Sequence, residues 1–212
     1  MIKVILFDFW GTLVENGVWS PIKQVRNILQ IQLPFPEYVV RMERAMMTKK
    51  FSSLKNAFES VCTEFNIEPN PEQIETLVGM WNSSWMLAQP YEETKETLAK
   101  LKEKFTLVLV SNTDSVSITN VLEKFGLQDF FSTIFLSCDI GMIKTDKNFL
   151  KHVLTTLNVS VEDSVMIGDS IQSDMVPAQQ MGMKTVLIDR RKTREYPYKI
   201  HNLNQLEGVL YD

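Results

Sequence analysis

The sequence predicts an α/β fold, with a Rossmann-like parallel sheet as its core and an inserted all-helical cap domain. Three observations support this prediction. Val4 to Phe7 form a continuous apolar run, which is typical of a strand buried on both faces of a parallel sheet. Residues 18–88 show helical patterns throughout. From Glu92 onward, short apolar strands alternate with amphipathic helices, as in βαβ units.

The inserted segment is predicted to contain four helices joined by short links. Ser20 before Pro21 is typical of a helix start, with the serine as N-cap, and Asn70 before Pro71 repeats the pattern. Prolines interrupt the segment after the first helix. The predicted helices span residues 20–33, 37–48, 52–65 and 70–87.

The remainder of the chain supplies the predicted sheet. Asp114 is expected to cap one helix, and Gly126 and Gly182 are expected to end two others. The predicted strands are residues 105–113, 133–136, 164–167 and 184–188, and the predicted helices are residues 92–104, 114–125, 146–157 and 171–181, with a short helix near 203–210. Because the first strand must join this sheet, we assign residues 1–15 and 90–212 to the core and residues 16–89 to the helical cap.

Composition and charge limit the possible partners. Of the 212 residues, 44% are hydrophobic and 23% are charged, which is ordinary for a globular protein. The formal net charge of −4 gives no support for a nucleic-acid or membrane partner, so the basic run at residues 190–194 is expected to be a solvated loop. Two cysteines and the absence of a signal-peptide pattern favour a cytoplasmic location. The sequence gives no indication of oligomeric state.

Polar side chains follow four of the predicted strands. In a parallel sheet the carboxyl ends of the strands share one edge, where ligands bind. Gly11 allows the chain to leave the first strand steeply, which keeps that edge open. The polar residues at the strand ends are Asp8, Ser111, Asn112, Lys144, Asp169 and Asp174.

This combination of side chains has a chemical logic. Lys144, Ser111 and Asn112 can donate to the oxygens of a phosphate group. Asp8 and Asp169 are candidate ligands for Mg²⁺, which prefers oxygen and would offset their repulsion of a phosphate. A carboxylate with a metal and a lysine nearby can attack phosphorus and form an aspartyl-phosphate. The predicted partner is a small phosphorylated molecule.

The ordered set resembles the haloacid dehalogenase-like (HAD) hydrolase superfamily. The resemblance covers residues 1–14 and 90–190, and the helical insertion matches the family's alpha-helical cap in position and character. The four matching motifs are Asp8-Phe9-Trp10-Gly11-Thr12, Ser111, Lys144, and Gly168-Asp169 with Asp174.

The resemblance implies a role for each motif residue. Asp8 would be the nucleophile and a Mg²⁺ ligand, with the backbone carbonyl of Trp10 and the carboxylate of Asp169 as further ligands. Thr12 completes the first motif and is expected to support the site.

The other motifs would serve the phosphoryl group and the metal. Ser111 and Lys144 would hold the phosphoryl group that is transferred. Asp174 would support either the metal shell or Lys144.

Trp10 departs from the family pattern, because phosphatases of this family keep a second aspartate there as the general acid and base. An indole N–H is not a useful acid or base near neutral pH, so the sequence predicts a slow Mg²⁺-dependent phosphatase. The 2-haloacid dehalogenases also carry an aromatic residue there and need no metal, so a dehalogenase is the alternative. They lose the Gly-Asp of the fourth motif, whereas this chain keeps Gly168-Asp169, which favours the phosphatase. A non-catalytic binding protein is a third possibility.

Overall fold

A computed structural model describes residues 2–210 of the chain. The strands are β1 (Val4–Phe7), β2 (Val14–Glu15), β3 (Gln89–Pro90), β4 (Thr106–Ser111), β5 (Thr133–Leu136), β6 (Ser164–Gly168), β7 (Lys184–Ile188) and β8 (Lys199–Ile200). The helices are α1 (Pro21–Ile28), α2 (Phe35–Met47), α3 (Leu54–Glu64), α4 (Pro71–Met86), α5 (Thr94–Lys102), α6 (Ser115–Phe125), α7 (Ser137–Ile140), α8 (Phe149–Leu157), α9 (Val176–Gln180) and α10 (Leu206–Leu210).

Six strands form one parallel sheet in the order β5-β4-β1-β6-β7-β8, which confirms the predicted fold class. The side chains of β1 alternate between two apolar clusters. Ile5 and Phe7 pack on one face of the sheet, whereas Val4 and Leu6 pack on the other. All four are at most 3% exposed, as expected for a strand that is covered by helices on both sides.

The helices α1 to α4 have an apolar cluster of their own, separate from the two clusters of the sheet. Tyr38, Met42, Phe58 and Leu77 are fully buried within it. The short antiparallel pair of β2 and β3 lies where the chain leaves and re-enters the sheet region, and the sequence pattern did not predict it. The long helical periodicity between two strand patterns therefore correctly predicted that this segment is helical.

Three predicted helix starts are capped by side chains. Asp114 accepts from the backbone N–H of Ser117, and Asn70 accepts from the N–H groups of the first turn of α4. Ser53 caps α3 in the same way. Helix α1 starts at Pro21, as predicted, but Ser20 does not cap it, because its backbone is left-handed (φ 43°) and its side chain makes no capping hydrogen bond.

Helices α1 and α8 are among those that are shorter than predicted. Helix α1 ends at Ile28 rather than near residue 33. Just after it, Gln30 adopts a left-handed φ of 53°, and Arg26 donates to the carbonyls of the following loop. Helix α8 begins at Phe149 because Asp146 instead accepts from the N–H of Ile143 within the preceding loop.

The C-terminal part of the sheet region also differs from the prediction. Strand β8 was not predicted, since two residues are too few to show a period. The predicted helix at residues 171–181 is a π-helical turn, Ile171–Met175, followed by α9. No helix within residues 2–210 combines the length and the hydropathy of a membrane span.

Candidate active site

Asp8 lies at the carboxyl end of the central strand β1. Its backbone N–H continues the ladder with β6 by donating to the carbonyl of Ile167 at 2.9 Å. Both carboxylate oxygens are held, because Thr12 Oγ1 donates to Oδ2 at 3.0 Å and Lys144 Nζ donates to Oδ1 at 2.6 Å. Asp8 is only 5% exposed. The predicted nucleophile is therefore fixed in direction and shielded from solvent.

Lys144 is enclosed between two carboxylates. Its Nζ lies 2.6 Å from Asp8 Oδ1 and 2.5 Å from Asp174 Oδ1, and its side chain is 3% exposed. Burial lowers the pKa of Lys144, but the two carboxylates outweigh it and hold the pKa above its ordinary value. Asp174 contacts Lys144 directly, which fits one of the two supporting roles predicted for it.

Asp174 reaches Lys144 because of the π-helical turn. The N–H of Ser170 donates to Asp174 Oδ2 at 2.9 Å, which fixes the second carboxylate oxygen. A Cβ on Gly168 would collide with this side chain, so the glycine leaves the space that the carboxylate fills. A π turn at a functional site is common, because it shifts one side chain relative to a regular helix.

Three carboxylates at this edge form a possible metal site. Asp8, Asp169 and Asp174 each offer an oxygen within 4.8 Å of the others. Burial, together with the charges of Asp8 and Asp174, raises the pKa of Asp169 to about 8. Lys144 neutralises one of these charges, so the cluster keeps a negative excess that a divalent cation would offset. The donor set is all oxygen and fits Mg²⁺.

Asp169 is positioned by its neighbours in the chain and in space. Its backbone carbonyl accepts a hydrogen bond from the guanidinium of Arg194. Gly11 adopts a left-handed φ of 78°, and a Cβ there would lie 2.6 Å from Asp169 Oδ2. Only glycine therefore allows the loop after β1 to pass this close to the carboxylate.

The end of β4 supplies uncharged groups. Ser111 is fully buried, and its Oγ has no hydrogen-bond partner among the described residues. Asn112 Oδ1 accepts from the backbone N–H of Lys144 at 2.8 Å, and its Nδ2 donates to Glu43 Oε2 at 2.8 Å. The hydroxyl of Ser111 and the second N–H of Asn112 are free to donate to a ligand.

Trp10 turns its indole toward the loop after β4. Its Nε1 donates to Thr113 Oγ1 at 3.2 Å, and its ring meets Phe9 edge-on with centroids 4.9 Å apart. The backbone carbonyl of Trp10 accepts no hydrogen bond from the described residues, so it is available to a cation. Trp10 itself presents no group that could exchange a proton near neutral pH.

The structure thus brings every residue predicted for the site to one edge of the sheet, and adds three that the sequence reading missed. Glu43 reaches the site from α2. The expectation of a solvated basic loop was wrong for two arginines, because Arg190 binds the carbonyl of Thr12 at 2.6 Å and Arg194 binds that of Asp169. One signal was available for Glu43, since it lies on the apolar stripe of its helix.

The chain is similar to known proteins over most of its length. A family described as haloacid dehalogenase-like hydrolase matches residues 5–188. A glyceraldehyde 3-phosphate phosphatase from Pyrococcus furiosus is 26% identical over 99% of this chain and 93% of its own length. A phosphoglycolate phosphatase from Psychrobacter arcticus is 35% identical over 87% of this chain and 82% of its own length.

Solved structures share the whole fold. A HAD-hydrolase from Bacillus subtilis, YfnB bound to magnesium, has a TM-score of 0.68 at 21% identity, covering 100% of this chain and 99% of its own. An L-2-haloacid dehalogenase from Xanthobacter autotrophicus also has a TM-score of 0.68, at 15% identity and with the same coverage. The family match, together with phosphatases as relatives, confirms the predicted hydrolase class: the chain belongs to the haloacid dehalogenase-like hydrolase family.

Proposed function

We propose that the chain is a Mg²⁺-dependent phosphatase that hydrolyses a small phosphorylated molecule through an aspartyl-phosphate on Asp8. The observation that supports this most strongly is the arrangement of Asp8, Lys144 and Asp169, with the unpartnered hydroxyl of Ser111 beside them. The phosphatase relatives support the reaction class. Glyceraldehyde 3-phosphate and phosphoglycolate therefore belong in a first substrate screen.

In the first step, a carboxylate oxygen of Asp8 attacks phosphorus, and the bond between phosphorus and the ester oxygen breaks. Lys144, Ser111 and Asn112 donate to the phosphoryl oxygens and stabilise the charge that they carry. In the second step, water attacks phosphorus, which releases inorganic phosphate and regenerates the Asp8 carboxylate. Lys144 lies between Asp8 and Asp174 and donates to one oxygen of each, so its positive charge offsets the repulsion between the two side chains.

Asp8, Asp169 and the carbonyl of Trp10 are the residues that would hold the Mg²⁺. When bound, the ion would offset the negative charge of the carboxylates and polarise the phosphoryl group. The free carbonyl of Trp10 and the raised pKa of Asp169 support this assignment.

We also propose that residues 16–89 act as a cap over this edge of the sheet. Three contacts across the boundary support it, with Arg44 Nη2 to Asp146 Oδ1 at 2.5 Å, Lys50 Nζ to Asp139 Oδ1 at 2.7 Å and Trp81 Nε1 to Asp114 Oδ2 at 2.9 Å. A cap that excludes water would strengthen every charge interaction in the site. A cytoplasmic location without nucleic-acid or membrane partners stays a prediction from composition.

The test is a screen for released phosphate and released halide, on phosphate esters and on 2-haloacids, with and without Mg²⁺. We expect phosphate release that depends on Mg²⁺ and is abolished in Asp8→Asn. Asp129→Asn is the control, because Asp129 is exposed and distant in sequence from Asp8, and this variant should leave phosphate release unchanged. Trp10 keeps a dehalogenase as the second candidate. Metal-independent halide release would support that candidate instead, and turnover of neither class would leave a binding protein.

A further inference from the structure

Glu43 is a carboxylate that the helical segment places beside the phosphate-binding groups. It lies on α2, where its Oε2 accepts from Asn112 Nδ2 at 2.8 Å. The same asparagine accepts from the backbone N–H of Lys144 at 2.8 Å. A single amide side chain therefore links Glu43 to the loop that carries the lysine of the site.

The surroundings of Glu43 favour its neutral, protonated form. It is partly buried on the apolar stripe of α2, one position after the fully buried Met42. Burial raises the pKa of Glu43 to about 7; Asn112 and Lys144 act in the opposite direction, whereas Asp174 and Asp8 add to the increase. A bound phosphate ester would add negative charge nearby and raise it further.

The position and the surroundings of Glu43 allow its carboxyl group to give up and take up a proton. Its second oxygen, Oε1, has no hydrogen-bond partner within the described part of the chain. The loop after β1, where the family's phosphatases keep an acid, offers only the indole of Trp10. The proton that a poor leaving group needs must therefore come from elsewhere, and Glu43 is a carboxyl group in contact with Asn112, one of the predicted phosphate-binding residues.

We propose that Glu43 is the general acid and base of this phosphatase, a proposal that rests on the function proposed above. While the Asp8 oxygen bonds to phosphorus and the bond to the ester oxygen breaks, the Glu43 carboxyl gives its proton to the leaving oxygen. The Glu43 carboxylate then takes a proton from the water that attacks the aspartyl-phosphate. Phosphate leaves, and both side chains return to their starting forms.

The experiment compares phenyl phosphate with p-nitrophenyl phosphate, which have closely similar shapes but different leaving groups. Phenol has a pKa of about 10, so phenolate benefits from a proton as it leaves, whereas the more acidic p-nitrophenol leaves as nitrophenolate without one. kcat/KM reports only the steps up to cleavage of the ester bond, so it isolates the donation of the proton. In Glu43→Gln we expect kcat/KM to fall about 100-fold for phenyl phosphate and less than about threefold for p-nitrophenyl phosphate.

The variant keeps the contact with Asn112, because a glutamine oxygen can accept the same hydrogen bond. Glu37→Gln on the same helix is the matched control; its side chain is 52% exposed, and both rates should stay unchanged. Thermal unfolding of Glu43→Gln shows whether the variant folds. If it does not, Glu43→Ala assayed with added acetate replaces it, since a free carboxylic acid should restore the rate on phenyl phosphate alone.

An equal fall for both substrates, or no fall for either, overturns the role of Glu43 in proton transfer. Failure of the proposed function is a separate result: the natural chain would then release no phosphate from either ester, or Asp8→Asn would release it as fast as the natural chain. Loss of turnover in Asp8→Asn together with a selective loss in Glu43→Gln supports both proposals.

Discussion

The two sides of the candidate site hold their polar groups in different ways. On the side of the sheet, Asp8 and Asp174 each have both carboxylate oxygens in hydrogen bonds, and Lys144 joins them. On the side of the helical segment, Glu43 is held through one hydrogen bond to Asn112. The groups that need a fixed direction therefore lie at strand ends, whereas the carboxyl group that exchanges protons comes from a helix of the inserted segment.

Removal of Lys144 should have the largest effect on the sheet side. Lys144→Met leaves Asp8 and Asp174 buried without a cation, and removing one partner of a buried ion pair costs about 3–5 kcal/mol. We expect the free energy of unfolding of the metal-free protein to fall by about this amount, measured by urea denaturation at neutral pH, and phosphate release to be lost. Lys55→Met, at an exposed helical pair, should leave the denaturation midpoint unchanged. Equal stability of the two variants would show that the sheet side is not fixed by this lysine.

Loss of the metal ligand should come next in size. Mg²⁺ at about 100 times its dissociation constant should stabilise the natural chain by about 2.7 kcal/mol, seen as a rise in melting temperature. Asp169→Asn should abolish that rise. In the metal-free protein the same variant should unfold at a higher temperature near pH 8, because the raised pKa of Asp169 makes its ionised form unfavourable in the folded state.

The sign of the pH effect follows from the direction of that shift. An acid whose pKa is higher in the folded state stabilises the fold at low pH, and this contribution is lost as the pH rises from about 4 toward 8. A pH-independent difference between Asp169→Asn and the natural chain would contradict the assignment.

A new acid at position 10 should have the smallest effect. Trp10→Asp places a carboxyl group at the strand end, so turnover of alkyl phosphates should rise by up to about tenfold, equal to about 1.4 kcal/mol. Trp10→Asn is the matched control, because it removes the indole without adding an acid. In a Glu43→Gln background the gain should be larger, since no other acid then serves the leaving group. Unchanged or slower turnover in correctly folded Trp10→Asp variants of both backgrounds would show that a carboxyl group at position 10 does not reach the leaving group.

The sequence allowed the sheet side to be predicted almost completely, and the helical side hardly at all. Asp8 and Asp169 each end an apolar run, so local pattern and the geometry of parallel sheets were enough to bring them together. The position of Glu43 depends on how α2 packs over the loop after β4, which no local pattern encodes. Strand β8 and the arginine contacts at residues 190 and 194 likewise arise only from tertiary packing.

The buried hydroxyl of Ser111, which has no hydrogen-bond partner among residues 2–210, gives the fold a preference for its ligand-bound form. A buried hydroxyl without a hydrogen-bond partner costs about 1–3 kcal/mol, and a phosphoryl oxygen would remove that cost on arrival. The protein without ligand is therefore less stable than its packing allows. Binding of a phosphoryl group removes this free-energy cost and so increases the affinity for the ligand. Selection for thermal stability alone would be expected to replace Ser111. An apolar side chain there would remove the cost of the unpaired hydroxyl, but the substrate would lose a hydrogen-bond donor.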